Sequence, residues 1–408
     1  GPLVSNTSHK FSQVYHYFLK KFNMSSDIAK TPGVKALAKN FHKFGTELIL
    51  KSKGPEENAV FSSYSISNVL CMTSLGAKGD TYEQLKHALN LPEDVESLKS
   101  TYSDITSLTK SDENVCLEVV NSIFPSNTLK VCDEYLEDVV KCFGSEVQSL
   151  DYTKNEEARN SINEWVSKNT NDKIPELFEK GTIEVDTSNI LVNAIYFKND
   201  WASKFDPTLT TEKEFHVTPD KIVTVPTMFA PKLKFATKSV DLLKCTIAAI
   251  PFKGERIVMY LLVPKEPFGL PELEAKLVSD EFDPTILEKA SNSVHSLIQL
   301  PKFKLESTHD LVEACNSLGI EDLFDPKADL SGIGGEPGGL FVSKIVQKAV
   351  IEVSEEGSEA ASASGIIAMV ESAIFSDPFV VDHPFVFMIK DKATGMILMS
   401  GRVVDPSL

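Results

Sequence analysis

The chain has 408 residues, 42% of them hydrophobic, and a net charge of −17 at pH 7 from 41 basic and 58 acidic residues. That length supports a large buried core, and the composition excludes a disordered, collagenous or disulfide-scaffold protein. So acidic a surface repels polyanions, which argues against nucleic acid or an anionic membrane as partner, and no run of about 18 apolar residues is present to cross a bilayer.

Residues 1–33 read as an N-terminal extension. It opens on Gly1-Pro2 without a methionine, which looks like the scar of tag cleavage and leaves room for a natural leader or anchor that was trimmed away. Two sequons, at Asn6 and Asn23, make these the candidate glycosylation sites and lean toward a secreted or cell-surface protein, with a cytoplasmic one as the alternative. The aromatic and basic stretch 11–22 has the makings of a short amphipathic helix, broken by Thr31-Pro32-Gly33.

From residue 34 the pattern becomes that of a folded domain. Leu37, Phe41, Phe44 and Leu48 space a helix over 34–51 that Gly54-Pro55 ends. A short strand at 58–61 and an apolar, serine-bearing helix at 62–75 follow. A further helix over 80–89 is expected, capped by Asp80 or Thr81 with Glu83 in its first turn. A strand is predicted at 115–123 and a helix at 134–143. A helix at 155–170 has Ile162 and Trp165 on one face, and the apolar run 189–197 reads as a buried central strand. Strands are predicted around Met228 and over 232–235, 245–251 and 256–264, then loop and helix at 267–277, a strand at 294–303 and a helix at 310–318. A Gly/Pro/Asp-rich loop at 325–339 precedes strands at 340–353, 384–389 and 396–404. No linker or repeat divides the chain. Helices lead and strands dominate the second half, an α+β pattern with large antiparallel or mixed sheets.

No motif of an enzyme is present: no GxSxG, HExxH, P-loop or GxGxxG, and the eight histidines are scattered. The six cysteines form no CxxC and no metal-finger spacing, so buried free thiols are expected, with one disulfide left open. No metal and no cofactor is predicted.

The unusual segment is 355–377, EEGSEAASASGIIAMVESAIFSD. Its first half is nearly all Gly, Ala and Ser, which form a poor strand and anchor little apolar area, so this half should be exposed and mobile. Taken with period two, one face carries Ser358, Ala360, Ser362 and Ser364 and the other Glu359, Ala361 and Ala363. Such a segment suits a loop in one state and a central strand in another, with Gly357 as the hinge. Composition alone favours a flexible linker.

The context decides, because the sequence from about Phe41 to Pro406 resembles the serpin family. The hinge EEGSEAASA at 355–363 resembles that family's hinge, DHPFVFMI at 382–389 its strand after the bait loop, and TGMILMSGRVVDP at 394–406 its C-terminal strand pair. Upstream, VFSSYSIS at 60–67, SLGAKG at 74–79, SINEWVSKNTNDK at 161–173, LVNAIYFK at 191–198, Trp201, Phe205, Met228 and Phe324 fit the same pattern in the same order. The resemblance implies a serpin fold of several helices and three β-sheets over 34–408, with an exposed reactive-centre loop at about 355–378. It also implies a metastable inhibitor that traps the acyl-enzyme by inserting its cut loop into the central sheet.

The resemblance assigns Glu355, Gly357 and Ser358 to the hinge and Ala360, Ala361, Ser362 and Ala363 to the part that enters the sheet. Ser62, Ser65 and Asn193 become a polar cluster where the sheet parts, and Trp201 the tryptophan at its top. Two departures stand out: Gln347 where the family usually has histidine, and Ser63 where it usually has proline. Glutamine keeps the hydrogen bonds but cannot titrate. Counting from Glu355 to the family's cleavage distance reaches Glu371-Ser372, with Ala373 and Phe375 as alternatives. The expected partner is a serine protease held in a covalent complex by a monomer. A cysteine-protease inhibitor or a non-inhibitory serpin is the alternative, and the absence of bulky or proline residues from the hinge favours inhibition. Residues 116–151 are not basic enough for a heparin groove.

Overall fold

The computed structural model describes residues 32–109, 112–115, 117–289, 293–355 and 378–408. Helix α1 (32–52) and strand β1 (Ala59–Phe61) lead into α2 (Ser63–Ser74). All twelve residues of α2 are buried, as its apolar and small residues on every face require. Ser62 caps it, its Oγ accepting from the Ser65 N–H at 2.9 Å. Helix α3 (Gly79–Leu89) begins one residue earlier than its pattern indicates, and neither Asp80 nor Thr81 caps it. The Thr81 hydroxyl is engaged elsewhere, accepting from the Asp329 N–H at 2.9 Å.

Next come α4 (Val95–Leu108), β2 (Leu117–Pro125), α5 (Asp133–Phe143), α6 (Asn155–Asn169) and β3 (Asn189–Phe197). The second half holds β4 (Thr211–Thr218), β5 (Lys221–Val240), β6 (Cys245–Pro251), β7 (Ile257–Pro264), α7 (Leu270–Leu277), β8 (Ser293–Pro301), β9 (Phe303–Asp310) and α8 (Val312–Ser317). It closes with β10 (Lys344–Val353), β11 (Phe379–Val380), β12 (Phe385–Asp391) and β13 (Ile397–Val403).

Four strands form one sheet in the order β2-β3-β10-β9. The other nine run β1-β13-β12-β7-β6-β5-β8-β11, with β4 on β5. The expected second and third sheets merge because β5, 20 residues long, serves both. Its start pairs with β4, its middle with β8 and its end with β6, and its register on β8 breaks between Ala230 and Leu233. Helix α4, strand β4, the first part of β5 and strand β9 have no counterpart in the predicted elements. β9, FKLESTHD, alternates buried and exposed throughout, but Ser307 and His309 occupy two of its buried positions and hide the period.

Candidate functional site

In the four-stranded sheet the two inner strands, β3 and β10, are parallel. They pair from Lys344↔Ile190 to Ile351↔Phe197 with nothing between them. Each has one further neighbour, β2 or β9. All nine residues of β3 are buried, as its continuous apolar run requires.

One rung of this sheet is polar. Asn121 of β2 faces Asn193 of β3, Asn193 faces Gln347 of β10, and Gln347 faces His309 of β9. Gln347 is 1% exposed and uses both ends of its amide. Its Oε1 accepts from the Ser62 N–H at 2.8 Å, while Nε2 donates to the Ser62 carbonyl at 2.9 Å and to Asn193 Oδ1 at 2.5 Å. The Asn193 amide contacts Ser65 and Asn121. His309 donates from Nε2 to the Val60 carbonyl at 2.8 Å, and burial pushes its imidazole down to about 4, so it stays neutral. The structure therefore brings Ser62, Ser65, Asn193 and Gln347 together. Asn121 and His309 belong to the same rung and were not singled out from the sequence, since only strand register places them there. Ser63, first residue of α2, keeps a buried hydroxyl with no partner among the described residues, close against Gly45.

The upper end of the seam is charged. Trp201 is 2% exposed and stacks on Phe252 at 4.5 Å, and its Nε1 donates to the Ser354 carbonyl at 2.9 Å. One residue on, Glu355 accepts from Thr210 Oγ1 at 2.5 Å and pairs with Lys302 Nζ at 2.8 Å. Burial raises the Glu355 carboxyl, but its bonds to Lys302 and Thr210 outweigh this and hold it below the usual carboxylate range. Lys198 pairs with Glu352 at 3.2 Å just below. Trp201 and Glu355 thus both grip the last turn of chain before residue 356. The other positions assigned from sequence lie outside the described residues: Gly357, Ser358, Ala360, Ala361, Ser362, Ala363, Glu371, Ser372, Ala373 and Phe375, and likewise Asn6 and Asn23.

Cys71, Cys142, Cys245 and Cys315 are buried free thiols and Cys132 is an exposed one. Burial pushes the Cys245 thiol up to about 12, which keeps it unreactive. Among the described residues no helix is long and apolar enough to cross a membrane, and no cluster of residues could hold a metal ion.

The family model described as Serpin (serine protease inhibitor) matches residues 39–406. The chain belongs to the serpin family. It is 36% identical to the leukocyte elastase inhibitor of Bos taurus over 364 residues, 88% of this chain and 96% of that protein. It is 33% identical to antichymotrypsin-2 of Bombyx mori over 363 residues, 87% of this chain and 93% of the relative. Among solved structures, Serpin48 of Tenebrio molitor superposes with a TM-score of 0.78 at 31% identity, covering 91% of this chain and 98% of its own. Uncleaved ovalbumin gives 0.81 at 28% identity, covering 91% and 100%. The α+β serpin fold expected from the sequence is the fold observed. Family and named relatives make this serpin a member of a class of protease inhibitors and not of enzymes.

Proposed function

We propose that this serpin is a suicide-substrate inhibitor of serine endopeptidases, with 34–408 as its inhibitory domain. The observation that carries the reading is the closed β3–β10 seam, because parting it leaves two facing strand edges able to bond a strand between them. Parallel pairing is the weaker kind per residue. The chain at Ser354 and Glu355 also leads directly from the top of that seam into 356–377. A protease that attacks this segment forms an acyl-enzyme, and the cut chain then fills the seam and carries the enzyme along before deacylation, as is established for serpins. Gly357 and Ser358 act with Glu355 as the hinge, and Ala360, Ala361, Ser362 and Ala363 enter first. Ser62, Ser65, Asn193 and Gln347 close the middle of the seam and Trp201 its top.

The count from the hinge supports cleavage between Glu371 and Ser372, which selects a protease with a basic primary pocket. The relatives named for elastase and chymotrypsin inhibition favour the second reading, cleavage after Ala373 or Phe375. The inhibitor works as a monomer. Its location divides on two observations: the sequons at Asn6 and Asn23 favour a secretory route, while the free thiols of all five cysteines among the described residues favour a reducing compartment.

The test is a panel of acid-specific, elastase-like and chymotrypsin-like proteases, run on denaturing gels with mass spectrometry of the released peptide. A stable complex cut after Glu371 fits the first register, and one cut after Ala373 or Phe375 fits the second. Cleavage without a complex from every enzyme contradicts inhibition of serine proteases, and a papain-like enzyme run beside the panel reassigns the class if it alone forms a complex.

A further inference from the structure

The far end of the 356–377 segment rejoins the sheet at β11, which is short. Phe379 and Val380 pair with Ile298 and Gln299 of β8, and Val381 donates to the Gln299 carbonyl at 3.0 Å. Two residues beyond stands His383, its side chain 12% exposed. Both of its ring nitrogens meet acceptors: Nδ1 lies 2.8 Å from Asp382 Oδ1, and Nε2 lies 2.7 Å from the Pro264 carbonyl at the end of β7. A neutral imidazole has one N–H and can satisfy only one of these oxygens, whereas the imidazolium satisfies both.

We propose that His383 is a positioning residue: as an imidazolium clamped between Asp382 and Pro264 it ties the chain just after β11 to the end of β7 and so holds β11 in place on β8, and on losing its proton it loosens this anchor. Partial burial disfavours the charge on His383, but the two hydrogen bonds and the Asp382 carboxylate outweigh it and raise its pKa above the ordinary 6.5. The charged neighbours act in the same sense or are engaged elsewhere. Asp382 is held below the usual range first by His383 itself and further by His216 of β4, whose backbone N–H bonds the Asp382 carbonyl at 2.8 Å. Lys265, next after Pro264, pairs with Asp241 at 3.3 Å. A folded pKa above the unfolded one stabilises the anchor below pH 6.5, and that stabilisation disappears as pH rises through the folded pKa.

The role bears on inhibition only through the reading that 356–377 is the bait, but its test does not depend on protease. Hydrogen exchange of the Val381 amide is followed in the full chain from pH 5.5 to 9 and corrected for intrinsic base catalysis, beside an NMR titration of the His383 ring. The ring midpoint is expected above 6.5, and Val381 protection should fall by about tenfold for each unit of that rise. His383→Arg, which keeps the charge and two donors, should hold its protection across the range, and His383→Gln should be weakly protected throughout. Protection that is flat with pH in the wild type, or a ring that titrates at or below 6.5, overturns the proposal. Loss of protease trapping with this pH response intact would instead remove the inhibitory reading alone.

Discussion

The middle and the upper end of the β3–β10 seam are closed by different chemistry. In the middle, Gln347, Asn193 and the Ser62 backbone form a neutral, fully buried network. At the top, Lys198 and Glu352 cross the seam as a partly exposed ion pair, and Lys302 holds Glu355 from the β9 side. A neutral buried network is strong when complete, costly when one member is missing and indifferent to pH and salt. Half-exposed ion pairs contribute less and respond to both. The seam is thus locked in its middle and latched at the end where a strand would enter.

The largest effect is expected in the middle. Gln347→Ala leaves the Ser62 N–H and Asn193 Oδ1 without partners, while the Ser62 carbonyl keeps the Ile66 N–H at 3.1 Å, and should cost about 2–4 kcal/mol in denaturant unfolding. A loss below about 1 kcal/mol would mean that the rung does not hold the seam. One member of the rung can titrate, however. His309 on the rung, and His42 elsewhere in the core on α1, are both pushed down to about 4, chiefly by burial. A depressed folded pKa gives stability that is complete above 6.5 and lost as pH falls toward 4, about 3 kcal/mol for each histidine. Both His42 nitrogens lack partners among the described residues. His42→Leu should therefore raise stability near pH 5 and flatten the acid slope, and an unchanged slope would count against the assignment. Gln347→His should add a new pH dependence to the rung itself.

At the latch, Lys198→Ala should cost only about 1 kcal/mol, since both partners of its pair with Glu352 are partly open to solvent. That difference should shrink at high salt while the Gln347→Ala loss does not, and equal salt responses would erase the contrast between the two regions. Smallest is Ser63→Pro. Position 63 is the first of α2, where proline's fixed φ suits the helix and no N–H is needed, and the change removes an orphan hydroxyl. A gain of about 0.5–1 kcal/mol is expected, provided that the contact with Gly45 admits the ring.

Much of this was legible because serpin strands carry strong local signals. The run 189–197 is apolar at nearly every position and coincides with β3. The helices 134–143 and 155–170 agree with α5 and α6 to within a residue. What sequence hides is register. Nothing local states that Asn121, 72 residues from Asn193, shares its rung, or that His309 closes the row on β9. The Glu355–Lys302 clamp is equally non-local, and β4 and the start of β5 carry no clear signal because their exposed polar residues mask the alternation. His383 was visible only as one scattered histidine, and the two acceptors that define it come from its neighbour and from β7.

On the proposed function, the segment after Glu355 becomes a strand between β3 and β10 once it is cut. The most direct measurement is thermal unfolding of the full chain before and after a single cleavage within 356–377, with the two fragments left associated. The cleaved protein should unfold at a much higher temperature than the intact one, because an added strand satisfies both edges of the parted seam. An unchanged or lower unfolding temperature would show that the cut segment does not insert.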